Sequence, residues 1–251
     1  MSSSKKKSEA GEGRGMRLDA YLARAGLASR KEARRLIRRG GVTVDGEISK
    51  DSARRIIDEK VVLGEEAVAS PATLTDFLLH KPLGVSCSRD VREAPLVFDL
   101  LDEVLRQRDL KIAGRLDRAT SGLLILTTDG DLVHRLTHPT RKVPKRYRIE
   151  FEGELAPDAA AQCEAGILLR GEERPTRSAI FSLDGPGKAT LELREGKTHQ
   201  VRRMIRALGG EVVGLHRDRV GCFPIPNSLS PGELRPLEPE ERALLLSDKS
   251  L

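Results

Sequence analysis

The sequence has no apolar stretch approaching the ~18 residues that span a bilayer, which excludes a chain built on membrane-spanning helices. It is also poor in cysteine. Cys87, Cys163 and Cys222 are odd in number and far apart, and they fit neither a zinc spacing nor a disulfide framework. Such usage points to a reducing compartment. The lysines near the N-terminus are followed by no apolar run, so no signal peptide is expected and cytoplasmic residence follows. Metal ligands are not clustered. His134 and His138 stand at i, i+4 spacing, but no third ligand lies at a suitable distance in the chain, so no metal site is expected. Glycine-rich loops of the phosphate-cradling kind are missing as well. Tyrosine occurs twice, as Tyr21 and Tyr147.

Charge is what the chain has in abundance. Charged residues are 33% and hydrophobic residues 38%, the balance of a soluble globular protein with a sizeable core. The net charge is +6 and the pI about 9.4, which suggests a polyanionic partner. A length of 251 residues allows one large domain and one small one.

Residues 1–15 lack any apolar anchor apart from Met1 and Ala10 and read as a disordered basic tail. Residues 16–68 read as a small module. Leu18, Tyr21 and Leu22 recur at helical spacing, which makes Tyr21 a core residue. Ser29 with Glu32 forms a capping-box pattern at the start of a second helix. Ala33, Leu36 and Ile37 give that helix an apolar stripe; Arg30, Lys31, Arg34, Arg35, Arg38 and Arg39 cover the rest. Cations at this density suit phosphate neutralisation. Asp45-Gly46 between Val42-Thr43-Val44 and Glu47-Ile48 predicts a hairpin. Residues 69–75 read as a linker, residues 76–240 as the larger domain, and 241–251 as a C-terminal tail.

The larger domain is organised around Gly114-Arg115-Leu116-Asp117-Arg118-Ala119-Thr120-Ser121-Gly122, followed by the apolar run Leu123–Leu126. The run predicts a buried strand, so Asp117 is expected on a short polar loop at the lip of a sheet. Strands are also expected over Asp76–His80, from Leu83 to Cys87, Lys145–Phe151, Ser178–Phe181, Ala189–Leu193, Glu211–Val213 and Leu215–Gly221. A short helix is expected at Leu96–Leu101, and others at Asp131–Leu136 and 157–165. In Glu195-Gly196-Lys197-Thr198-His199-Gln200-Val201-Arg202-Arg203-Met204, Thr198 reads as the cap of a helix. Val201, Met204, Ile205 and Leu208 form the apolar face of that helix.

Four strings carry a resemblance to the RNA pseudouridine synthases: Gly114 to Leu124, Lys81-Pro82-x-Gly84-Val85, Lys145-x-Tyr147, and Gly196-Lys197-x-His199-Gln200-Val201-Arg202-Arg203-Met204. Met16 to Gly46 resembles the small RNA-binding domain named after the fourth small-subunit ribosomal protein. The likeness extends over residues 16–240. It implies an α+β architecture, in which a small N-terminal αβ RNA-binding domain is linked to a mixed, mainly antiparallel-sheet catalytic domain. The implied reaction replaces the bond from ribose C1′ to N1 of uridine by a bond to C5, without cofactor. Asp117 is implied as the catalytic carboxylate, acting as a nucleophile at sugar or base or removing a ribose proton. Tyr147 is implied to pack on the target base. Arg202 is implied as the cation beside Asp117, favouring its charged form. Arg115, Thr120, Lys145, Gln200 and Arg203 are implied substrate contacts. Arg30, Lys31, Arg34, Arg35 and Arg38 are implied to bind RNA.

The implied partner is ribosomal RNA or a ribosomal subunit assembly intermediate, met by a monomer without a membrane. The neighbourhood of Leu215-His216-Arg217 looks most like the synthase branch that acts on the small subunit. A large-subunit target, a non-catalytic assembly factor and a base-excising hydrolase are the competing readings.

Overall fold

Ser29 starts the basic helix as its spacing requires. Its backbone N–H donates to Glu32 Oε2 at 2.9 Å, and its Oγ accepts from the Glu32 N–H at 3.3 Å. The computed structural model describes residues 16–247, apart from 26, 58, 69–75, 107, 139 and 142. The tail expected over 1–15, the linker over 69–75 and residues 248–251 lie outside the described residues. The chain divides into two units, Met1–Leu74 and Thr75–Leu251.

The first unit contains, in order, β1 (Met16–Arg17), α1 (Leu18–Arg24), α2 (Arg30–Arg38), β2 (Val42–Val44), β3 (Glu47–Ile48), β4 (Arg55–Ile56), β5 (Val61–Leu63) and β6 (Glu66–Ala67). A sheet of order β3-β2-β5-β6 backs the two helices, and β1 pairs separately with β4. Asp45 and Gly46 both have positive φ, +52° and +85°, the geometry of the tight hairpin turn. Leu18, Tyr21, Leu22, Ala33, Ile37, Val42 and Val44 form one buried cluster. Tyr21 is therefore a core residue, as its place on the apolar face requires.

The second unit contains β7 (Asp76–Lys81), α3 (Glu103–Arg106), β8 (Lys111–Ile112), β9 (Ser121–Thr127), α4 (Gly130–Thr137), β10 (Lys145–Glu152), α5 (Ala159–Ala165), β11 (Ile180–Gly185), β12 (Lys188–Leu193), α6 (Gln200–Ala207), β13 (Glu211–Val220), β14 (Phe223–Pro224), β15 (Leu234–Pro236) and α7 (Pro239–Leu246). Its sheet runs β11-β12-β10-β13-β9-β7-β15, with β14 on β13 and β8 on β9. Along this order every pair is antiparallel except β13 with β9, which is parallel. The mixed, mainly antiparallel sheet matches the expected class.

The run Leu123–Leu126 is apolar throughout because both faces of β9 are covered. Leu123 and Ile125 join one core cluster, Leu124 and Leu126 another. A strand buried on both sides loses the usual alternation. A third cluster packs α5 and α6 on β10, β12 and β13.

Two expectations fail. The stretch from Leu83 to Cys87 is not a strand; Ser86 makes only an isolated bridge to Leu96. Gly84 turns there with φ +79° and is tied to another loop, its N–H donating to Arg118 O at 2.9 Å while Arg118 Nε donates to Gly84 O at 3.0 Å. Residues 241–246 are not a tail. Helix α7 seats Leu245 fully inside the core, and Arg242 forms ion pairs with Asp76 and Asp129. The segment carries the short apolar run Ala243-Leu244-Leu245-Leu246, and Leu245 is its buried anchor. A third, smaller difference is that the two strands expected around Gly214 are one, β13.

Candidate active site

Asp117 stands on the loop between β8 and β9, and that loop is held by cations through its backbone carbonyls. Lys81, at the end of β7, is fully buried and donates from Nζ to Thr120 O at 2.8 Å and to Pro82 O at 2.8 Å. Arg217, on β13, is 2% exposed. Its guanidinium donates to Gly114 O at 2.9 Å, Arg115 O at 3.4 Å and Leu123 O at 3.0 Å. Arg202, on α6, donates to Ala119 O at 2.8 Å and to Val212 O at 2.9 Å. Carbonyls on both sides of Asp117 are thus fixed by basic side chains from three different elements. Hydrogen bonds from charged donors are among the stronger ones in proteins.

Gly122 makes this arrangement possible. It has φ +117°, and a Cβ there would come within 2.2 Å of Arg217 O. Only glycine lets β9 enter the sheet so close to β13.

The loop borders a cleft of about 560 Å³ lined by Asp117, Tyr147 and Arg202, and by Arg115, Thr120, Lys145 and Gln200. Seven of the eight residues expected to act on the substrate therefore meet in one cavity. Tyr147 lies on β10, opposite Arg217 of β13, and packs against two of the core clusters while facing the cleft. The Thr120 hydroxyl is buried and has no hydrogen-bond partner among the described residues. Gln200 is 4% exposed, donating to Glu195 Oε1 at 2.6 Å and accepting from the Lys197 N–H at 2.8 Å. Lys145 donates from Nζ to Leu136 O and Val143 O, each at 3.0 Å. Burial, helped by the charge of Arg217, pushes its pKa down to about 8. Burial also lowers the pKa of Lys81, against the pull of Cys87 and Asp117.

The eighth residue, Arg203, is not in the cleft. Its guanidinium is engaged by Glu172 Oε1 at 2.9 Å and by the carbonyl of Arg170 at 2.9 Å. It follows Arg202 by one position on a helix, so it points about 100° away. It holds the segment around Glu172 against α6.

The expected pairing of Arg202 with Asp117 is also revised. Both guanidinium nitrogens that donate are taken by backbone carbonyls. The side chain that meets Asp117 among the described residues is His199, with Nε2 3.6 Å from Oδ1. His199, not Thr198, is the N-cap of α6, and it adopts the left-handed conformation, φ +50°. His199, Lys81 and Arg217 escaped sequence reasoning. Each sits inside a string quoted for the resemblance, but nothing in local spacing shows that a strand end or a neighbouring strand will reach the Asp117 loop.

In the first unit, Arg30, Lys31, Arg34, Arg35 and Arg38 are all exposed on α2. Arg34 Nε donates to Asp19 Oδ2 at 2.8 Å and Arg30 lies 3.8 Å from Asp19 Oδ1. Asp19 is fully buried. Burial raises its pKa, but hydrogen bonds from Arg17 and Arg34 outweigh that and hold it below the usual carboxylate range. The carboxylate thus anchors the basic face while leaving the side chains of Arg30 and Arg34 about half exposed.

The sequence matches the RNA pseudouridylate synthase family over residues 77–207 and the S4 domain over residues 16–60. It is 40% identical to the ribosomal small subunit pseudouridine synthase A of Escherichia coli K12, covering 91% of this chain and 99% of that one. The protein of the same name from Vibrio cholerae is 41% identical over 91% of this chain and 98% of its own. A solved structure described as a pseudouridylate synthase superposes with a TM-score of 0.67 at 36% identity, covering 92% of this chain and all of that one. With Asp117, Tyr147 and Arg202 gathered at one cleft of a mixed sheet, and with these relatives matched over nearly their whole length, the chain belongs to the RNA pseudouridylate synthase family.

Proposed function

We infer that this protein isomerises a uridine of small-subunit ribosomal RNA to pseudouridine. The observation that carries the reading is the meeting of Asp117, Tyr147 and Arg202, from three distant strings, in one cleft of nucleoside size. The names of the relatives that match almost end to end support the small subunit as the source of the RNA.

Asp117 is the reacting carboxylate, at sugar or base or as the acceptor of a ribose proton. Its loop is immobilised before substrate arrives, so little reorganisation accompanies reaction. The uridine must leave its stack, at a cost of a few kcal/mol. Tyr147 offers a ring on which the base can stack, returning roughly 1–3 kcal/mol. Arg115 and Lys145 present positive charge to the phosphate and the carbonyl oxygens of the nucleotide. Arg202 positions Asp117 through the Ala119 carbonyl. The isomerisation is balanced within the nucleoside and asks for no redox partner or group donor. Exposed cations on α2 suit the RNA backbone and tether the enzyme to its substrate. The cleft is built by one chain, which fits a monomer, and the reducing-type cysteine usage fits the cytoplasm.

The test is Asp117→Asn, which keeps size and removes the charge. Cells relying on the variant are expected to lose the pseudouridine mapped in small-subunit rRNA by chemical modification. Unchanged pseudouridine would end the reading.

A further inference from the structure

The net reaction moves one proton within the base. When C1′ has left N1 and bonded to C5, C5 still carries its hydrogen. That hydrogen must leave as a proton, its bonding pair restoring the C5–C6 double bond, and N1 must gain a proton. No electrons are exchanged with any other molecule. Some group in the cleft has to take the C5 proton.

We propose that His199 takes it. The inference rests on the reading of the protein as a pseudouridine synthase. Of the five histidines in the chain, His199 is the one at Asp117, 3.6 Å from Oδ1, and it lines the same cleft. The other histidines have other partners: His80 meets Leu229 O, His216 meets Ser121, and His134 packs on His138, which also lines the cleft but has its Nδ1 engaged by Thr140 Oγ1 at 2.7 Å. The His199 imidazole caps no helix N–H and has Asp117 as its polar partner among the described residues. Its side chain is 59% exposed, so an incoming base can reach it.

The backbone supports the assignment. His199 occupies the left-handed region, φ +50° and ψ +31°, at the first position before α6. A non-glycine residue there is uncommon, and such conformations gather where a side chain must be aimed. The contact with Asp117 also selects the tautomer. A proton on Nε2 faces the carboxylate and leaves the Nδ1 lone pair to act as the base. The distance exceeds a hydrogen bond, as catalytic pairs often do before substrate tightens them. After C–C bond formation Asp117 is again a free carboxylate, and it stabilises the imidazolium formed when Nδ1 accepts the C5 proton. The imidazolium then returns a proton to N1 or to water.

The experiment uses the full chain and rRNA from cells lacking the protein, fed ordinary or C5-deuterated uracil. Single-turnover formation of pseudouridine is measured for wild type, His199→Asn and His199→Gly. Both replacements suit a left-handed backbone. Each variant is expected to be slowed at least about 100-fold, the usual worth of a positioned base. Each should be slower still on deuterated RNA, by a larger ratio than wild type shows, and free imidazole should restore part of the rate of His199→Gly. Variants that react at the wild-type rate overturn the proposal. So do variants slowed equally on both RNAs with no response to imidazole. A wild-type protein that forms no pseudouridine removes the functional reading itself, an outcome distinct from failure of the histidine alone.

Discussion

Lys145 shows how strongly tertiary structure bends the chemistry of one residue. In the sequence it is a lysine in an alternating strand; in the fold its ammonium group is largely removed from water and shares the cleft with Arg217. Its pKa falls to about 8. Between about 8 and the ordinary 10.4 the unfolded chain holds a proton that the folded chain does not. Stability from this group therefore rises with pH across that window. Cys163, pushed up to about 11 by burial, acts in the opposite direction. Comparison with Lys145→Met cancels that contribution. Urea unfolding at pH 7.5 and pH 10 should show wild type gaining on the variant by up to about 3 kcal/mol as pH rises, at about 1.4 kcal/mol per pKa unit. Parallel pH dependences would refute the burial of the charge. Arg203 teaches the converse. It stands one position from Arg202 and shares its chemistry, yet the turn of the helix gives it to Glu172 instead of the cleft.

Among the elements, α2 was the most legible. Its cap and its apolar stripe are local features: the capping box forms as read, and Ala33 and Ile37 of the stripe are buried. Ser29→Ala should remove the side-chain half of the capping box and destabilise the first unit by about 1 kcal/mol. Thermal unfolding followed on residues 16–68 would register it, while the rate of the chemical step, which belongs to the second unit, stays unchanged. A slowed chemical step would contradict this separation. Helix α7 was the least legible, because its apolar run, Ala243 to Leu246, is only four residues long and the fold alone shows that Leu245 docks in the core. The stretch from Leu83 to Cys87 failed for a related reason. Its β-type composition is overridden by the turn at Gly84 and by its bonds to Arg118.

For the whole molecule, the two units have separate cores, with the cluster around Leu18 and Ile37 in one and three clusters in the other. A chain beginning at residue 76 should fold and keep the Asp117 cleft. It should bind rRNA more weakly and with a shallower salt dependence, since each lost phosphate contact lowers the slope of log K against log salt by roughly 0.7–0.9. Loss of the five α2 cations predicts a slope smaller by up to about four, measured by filter binding over a salt series. An unchanged slope would show that α2 carries no RNA.

The sequence by itself determined the family, the two-part organisation, the carboxylate on its loop and the elements whose signals are local: a cap, a hairpin turn, a doubly buried strand. These depend on neighbours within a few residues, and the chain spells them out. Tertiary structure alone decided which cations hold the Asp117 loop and which group faces the carboxylate. Lys81 and Arg217 reach that loop from other strands, and His199 reaches Asp117 from the entrance of α6, more than eighty residues away along the chain. Pairing across such separations follows from sheet order and from the close approach at Gly122, quantities that no local pattern encodes.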